Sequence, residues 1–171
     1  MFQPGDLVVY GTTGVCRVDA IVIPDMHGAD QNKTYYQLNP LQQDGLIYTP
    51  VDNPKVSIRP VISREEALSL IDQVSSIRAE ACHASTLQAL SHHYQDIIHR
   101  GSCLDLAEML MSIHAKQKQA ESQNRRLGMV DERYMKQAER LLHGELAVAL
   151  DIPFDSVPAY ISQHIENTRS T

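Results

Sequence analysis

Tryptophan is absent from the 171 residues, phenylalanine occurs twice and cysteine three times. Three cysteines (Cys16, Cys82, Cys103) are too few and too scattered to staple a small domain, and their odd number fits thiols kept reduced. No stretch approaches the roughly 18 consecutive apolar residues of a membrane-spanning helix. The start, MFQPGDLVVYG, has neither the basic region nor the apolar core of a secretion signal. A cytoplasmic protein without a membrane partner is the expectation. Positive charge is also in deficit. Fifteen Lys and Arg face 21 Asp and Glu, a net charge of −6, which argues against coating nucleic acid by bulk electrostatics. A P-loop, a G-x-G-x-x-G after a strand, a G-x-S-x-G elbow and an H-E-x-x-H helix are all missing, although other catalytic arrangements stay open on that ground alone.

What is present is ordinary for a globular chain. Apolar residues make up 43% and charged residues 21%, which excludes collagen-like and fully disordered classes. The length suits one medium domain or two small ones. The turn signals favour two. Through residue 62, Pro4-Gly5-Asp6, Gly11 to Gly14 and Asp44-Gly45 punctuate short apolar runs at Leu7 to Tyr10, Val15 to Ile23, Tyr35 to Leu38, Leu46 to Tyr48 and Val56 to Ile58. Residues 24–33 are polar and form a loop in this reading. Five short strands can bury a core by coiling onto themselves, so a small barrel is expected over residues 1–62.

At Ser63 the periodicity changes. Ser63-Arg64-Glu65-Glu66 is a capping box, and it opens a helix with Ala67, Leu68, Leu70, Ile71 and Val74 on one face. Residues 63–171 then read as an all-helical domain. Ser85 to Arg100 carries Leu87, Leu90, Tyr94, Ile97 and Ile98 at helical spacing, with Gly101 as a left-handed cap. Leu104, Ala107, Leu110 and Met111 mark a third helix, and Met135, Ala138, Leu141, Leu142, Leu146 and Ala149 a fourth from Asp131 to Pro153. A last helix is expected from Asp155 to Glu166. These stripes can bury one another, so a monomer is expected. Neither half is basic overall, but between His114 and Arg140 seven basic residues face four acidic ones.

One cluster has metal-ligand chemistry: Cys82-His83, His92-His93, His99 and Cys103. Adjacent residues on a helix point about 100° apart and cannot both face one ion. No metal site is therefore expected, and Cys16 and Cys103 read as small buried hydrophobes.

The particular residues go further than the pattern. Phe2-x-x-Gly5-Asp6-x-Val8-Val9-Tyr10-x-x-x-Gly14 resembles the amino-terminus of the bacterial CarD/CdnL family. Tyr36-x-Leu38, Ile47-x-x-Pro50-Val51, Ile58-Arg59-Pro60-Val61-Ile62, Tyr94, Asp105 to Met111, Glu132-Arg133-x-Met135-x-x-Ala138 and Gly144-Glu145-Leu146-Ala147 resemble its later landmarks, out to about residue 150. The resemblance implies an α+β protein: a five-stranded Tudor-like barrel, a type also found in the transcription-repair coupling factor, followed by a helical domain. It implies a transcription regulator with no catalytic residue and no cofactor. The barrel would bind the RNA polymerase β subunit by strand addition at Gly45, Leu46, Ile47, Tyr48, Thr49 and Pro50, and the helices would touch promoter DNA and modulate the open complex. A barrel-closing role for Ile47 and Tyr48 is the alternative.

The family places a tryptophan wedge with basic flanks near the start of the second helix, where this chain has Leu90, His92 and His93. Leucine can wedge between base steps but cannot stack as an indole does, and neutral histidines give up counterion release. Arg125, Arg126 and Arg133 complete the expected DNA-contacting set, with a solvated helix face as the alternative. A diverged protein-binding adaptor that no longer contacts DNA is the competing function.

Overall fold

The computed structural model describes residues 1–23, 32–52, 54–76 and 83–169. The chain divides into two compact units, Met1–Val61 and Ile62–Thr171. Among the described residues, no helix is long and apolar enough to cross a membrane.

The first unit holds five strands: β1 (Leu7–Tyr10), β2 (Gly14–Val22), β3 (Tyr35–Pro40), β4 (Ile47–Pro50) and β5 (Ile58–Pro60). They pair antiparallel in the order β4-β3-β2-β1-β5. Alternation along β3 sends Tyr36 and Leu38 into the core with Val8, Cys16 and Val18, while Tyr35, Gln37 and Asn39 stay partly exposed. A register shift between Val18 and Ala20 bends β2. The amino-terminus is pinned to this core: the Phe2 N–H donates to the Tyr36 hydroxyl at 3.0 Å, and the Phe2 ring meets Tyr36 edge-on. Gly11 lets the β1–β2 turn approach the segment before β5. Its φ is +47°, its N–H donates to the Ser57 carbonyl at 2.8 Å, and a Cβ there would stand 2.4 Å from Val56.

The five expected strands are present, but among the described residues no ladder joins β4 to β5, so the sheet is open with these two strands as its edges. The last two strands also lie further along the chain than expected. Pro60 looks like a breaker, yet it sits in β5 opposite Val8. The Gly11–Ser57 bond sets the alternation, which turns the position of proline's missing N–H away from β1, where an edge strand tolerates it.

The second unit packs α1 (Arg64–Ser76), α2 (Leu87–Arg100), α3 (Cys103–Ser122), α4 (Met129–Leu150) and α5 (Val157–Arg169) around one apolar cluster. The capping box forms as expected: Glu66 N–H donates to Ser63 Oγ at 3.1 Å, and Ser63 N–H to Glu66 Oε2 at 2.8 Å. Thr86 and Ser102 cap α2 and α3, and Gly101 closes α2 in the left-handed region at φ 67°. Two acids lie inside. Glu145, 2% exposed, accepts from the Ile62 N–H at 3.0 Å and from the Cys103 thiol at 3.1 Å. Asp131, 3% exposed, accepts from the Tyr94 hydroxyl and pairs with the Lys116 ammonium at 2.9 Å. A buried carboxylate needs such partners, since stranding one costs several kcal/mol, roughly.

Candidate functional site

The β4 edge is built from three features of the local sequence. Asp44-Gly45 makes the turn into it, Gly45 lying at φ +114°. Alternation then puts Ile47 and Thr49 inward: Ile47 packs on the core and Thr49 is 2% exposed. Leu46, 53% exposed, and the half-buried Tyr48 and Pro50 take the other face.

Hydrogen-bond direction follows from the register. Val51 N–H donates to the Thr34 carbonyl at 3.0 Å, and β3 and β4 pair as Tyr36 with Thr49 and Leu38 with Ile47. In an antiparallel ladder, bonded and non-bonded pairs alternate. The main-chain groups of Ile47 and Thr49 are therefore directed at β3. Those of Tyr48, opposite Gln37, and the carbonyl of Pro50, opposite Tyr35, are directed away from it. Pro50 offers no donor there, which limits indiscriminate pairing. Beside this edge lies a cavity of about 610 Å3 lined by Tyr10, Tyr35, Tyr48, Pro50, Lys55 and Val56, among others. It reaches from β4 to the segment preceding β5, across the gap where a closing ladder would run.

Residues 2–62 match the family of CarD-like/TRCF RID domains. The amino-terminal unit is a CarD-like/TRCF RID domain. The match ends where the helical unit begins, whereas the resemblance read from the sequence extends to about residue 150. No curated protein matches the chain.

Within the RID domain, three of the six residues expected at the docking strand, Leu46, Tyr48 and Pro50, have side chains on the open face, and Gly45 is exposed in the turn. Ile47 and Thr49 differ from that expectation in their side chains, which are committed to the core. Their contribution is to hold the strand in register.

In the helical unit the residue expected as the wedge lies on the inside. Leu90 is 4% exposed and lies in the apolar cluster with Tyr94 and Ile98, because it falls on the inward stripe of α2. The exposed leucine of this helix is Leu87, at 70%. His92 and His93 are exposed on α2, and Arg133 is exposed on α4 with its guanidinium 5.3 Å from the Tyr134 ring centre. Arg125 and Arg126 follow α3, where Asn124 turns the chain at φ 54° and the Arg125 N–H donates to the Ala120 carbonyl at 2.7 Å. These two line one hollow together; His92, His93 and Arg133 do not line it. The other polar lining residues, His83, Lys116, Gln119 and Gln123, are not singled out as a group by sequence reasoning. Lys116 and Gln119 on α3 and Gln123 at its C-cap are spaced three and four residues apart, a polar stripe visible in the sequence.

Among the described residues no group of three His, Cys, Asp or Glu side chains is placed to hold a metal ion, and Cys82 lies outside the described residues. Burial pushes the Cys16 thiol up to about 11. His143 is held below its ordinary value of 6.5 by burial, with Glu139 opposing and His114 reinforcing the shift.

Proposed function

We propose that this chain is a bacterial transcription regulator of the CarD/CdnL kind, which docks on the β subunit of RNA polymerase through its RID domain and modulates the stability of the open promoter complex. The observation that carries this reading is the β4 edge, where Tyr48 and Pro50 direct main-chain groups away from β3. A strand of the polymerase would pair there and continue a Tudor-like curved sheet. β5 is the other edge, but it is three residues long, and β4 has the exposed Leu41 and Leu46 on its connecting turn. No catalytic residue, cofactor or metal enters this role. A factor that contacts the open complex better than the closed one shifts that equilibrium by its differential affinity. The helical unit would contribute contacts to promoter DNA through Arg125, Arg126, Arg133, His92 and His93, and the protein would act as a cytoplasmic monomer.

The burial of Leu90 favours a second reading, an adaptor that binds polymerase and does not touch DNA. The full-length chain, mixed with purified RNA polymerase and a promoter, separates the two. Co-elution with polymerase and a changed open-complex lifetime are expected. Co-elution with an unchanged lifetime would favour the adaptor, and absence of any complex with polymerase would refute both.

A further inference from the structure

At the end of α3 and the start of α4 the helical unit carries a basic hollow, which deepens the promoter-DNA role proposed above for Arg125 and Arg126 and rests on that reading only for a nucleic acid as its occupant. Its volume is about 330 Å3, and its polar lining comprises His83, Lys116, Gln119, Gln123, Arg125 and Arg126. Among the described residues no carboxylate lines it, in a chain whose net charge is −6. Like charges gathered on one concave wall repel each other, and a low-dielectric concavity focuses their field. An acidic chain has countercharges available for such a wall, and among the described residues Lys116 takes one. The Lys116 ammonium is paired with the buried Asp131 at 2.9 Å. The Arg125 and Arg126 side chains are exposed and make no hydrogen bond or ion pair among the described residues. Their position is nonetheless built: the Gln123 N–H donates to the Ala120 and Glu121 carbonyls, Asn124 turns left-handed, and Arg125 is tied back to Ala120.

We propose that this hollow is a receptor for phosphate groups. Two guanidinium forks with free donors match phosphate oxygens bidentately, and the two glutamine amides add neutral donors on the α3 wall. A phosphorylated small molecule and a nucleic acid backbone offer the same oxygens. The residues involved all belong to the helical unit.

The test uses the full-length, isotope-labelled chain titrated with inorganic pyrophosphate. Saturable shifts of the Arg125 and Arg126 Nε–H signals and of the Gln119 and Gln123 side-chain amides are expected. The double variant Arg125→Gln/Arg126→Gln should bind at least about tenfold more weakly, because charge-assisted hydrogen bonds are lost. Its melting temperature should stay unchanged, since both side chains are exposed. A short DNA duplex is the second arm. Displacement of pyrophosphate by duplex, with a log–log salt slope lowered by about two in the double variant, identifies the nucleic acid backbone as the source. No displacement identifies a phosphorylated small molecule. Pyrophosphate that leaves those signals unmoved at millimolar concentration, or that binds the double variant as it binds the wild type, overturns the proposal. Polymerase binding is unaffected by the double variant in either case, so failure here leaves the docking reading intact.

Discussion

Proline at position 48 is the sharpest probe of the β4 edge. Tyr48 lies opposite Gln37 at a non-bonded position of the β3–β4 ladder, so its N–H is directed outward, and Tyr48→Pro removes no bond to β3. An edge strand accepts proline on that side. The RID domain should therefore lose only about 1–2 kcal/mol, from the shifted φ and the half-buried phenol ring. In a complex by strand addition the cost is larger. One intermolecular N–H···O bond is lost, about 1 kcal/mol net, and the partner's carbonyl is left unsatisfied, about 1–3 kcal/mol more. Together these weaken binding by about a hundredfold. Thr49→Pro is the contrasting variant: its N–H is directed at β3 and its side chain is 2% exposed, so it should unfold the domain by about 3 kcal/mol or more. Binding is measured by calorimetry against a purified β-subunit lobe, and folding by thermal melting. If Tyr48→Pro melts normally and binds like the wild type, β4 is not the docking edge. Loss of binding in Ile58→Pro instead would place docking on β5, where the Ile58 N–H is likewise directed outward, opposite Tyr10.

Asp131→Ala should destabilise the helical unit by about 3 kcal/mol, read as a lowered denaturant midpoint, because the Lys116 ammonium and the Tyr94 hydroxyl lose their shared acceptor. Lowering the pH through 6.5 should weaken the same unit. His143 is held below that value when folded, so the unfolded chain takes up the proton first; the loss levels off below the folded pKa, and His143→Leu should flatten the slope. Cys16, fully buried with its thiol raised to about 11, should resist maleimide at neutral pH until the domain is unfolded, as followed by mass spectrometry of its peptide. Thr86→Ala should cost about 1 kcal/mol in thermal melting by removing the 3.0 Å cap to the Ala89 N–H.

Much of this molecule is legible in its chain because the signals are local. Ser63 and Glu66 are three residues apart and cap one another wherever a helix starts there. Gly101 ends α2 because a left-handed residue at that position has no Cβ to clash. The Gly5-Asp6, Gly14 and Gly45 turns likewise delimit their strands within a residue or two. The order of landmarks over residues 2–62 suffices to place them in the RID domain family.

What the chain left open is pairing at long range. Period-two patterning says that Ile47 and Thr49 share a face, but not that β4 has only one neighbour among the described residues or which amides are directed at it. Those facts come from a ladder with residues nine or more positions away. Pro60 reads as a terminator until β1 supplies a partner on one side only. Leu90 fits the helical stripe equally well as core or as wedge, and only its packing with Tyr94 and Ile98 decides for the core. Asp131 looks like an ordinary acid in the first turn of α4 until Tyr94 and Lys116 converge on it from two other helices. Burial and edge exposure are properties of neighbours brought together by folding, so the tertiary structure alone determines them.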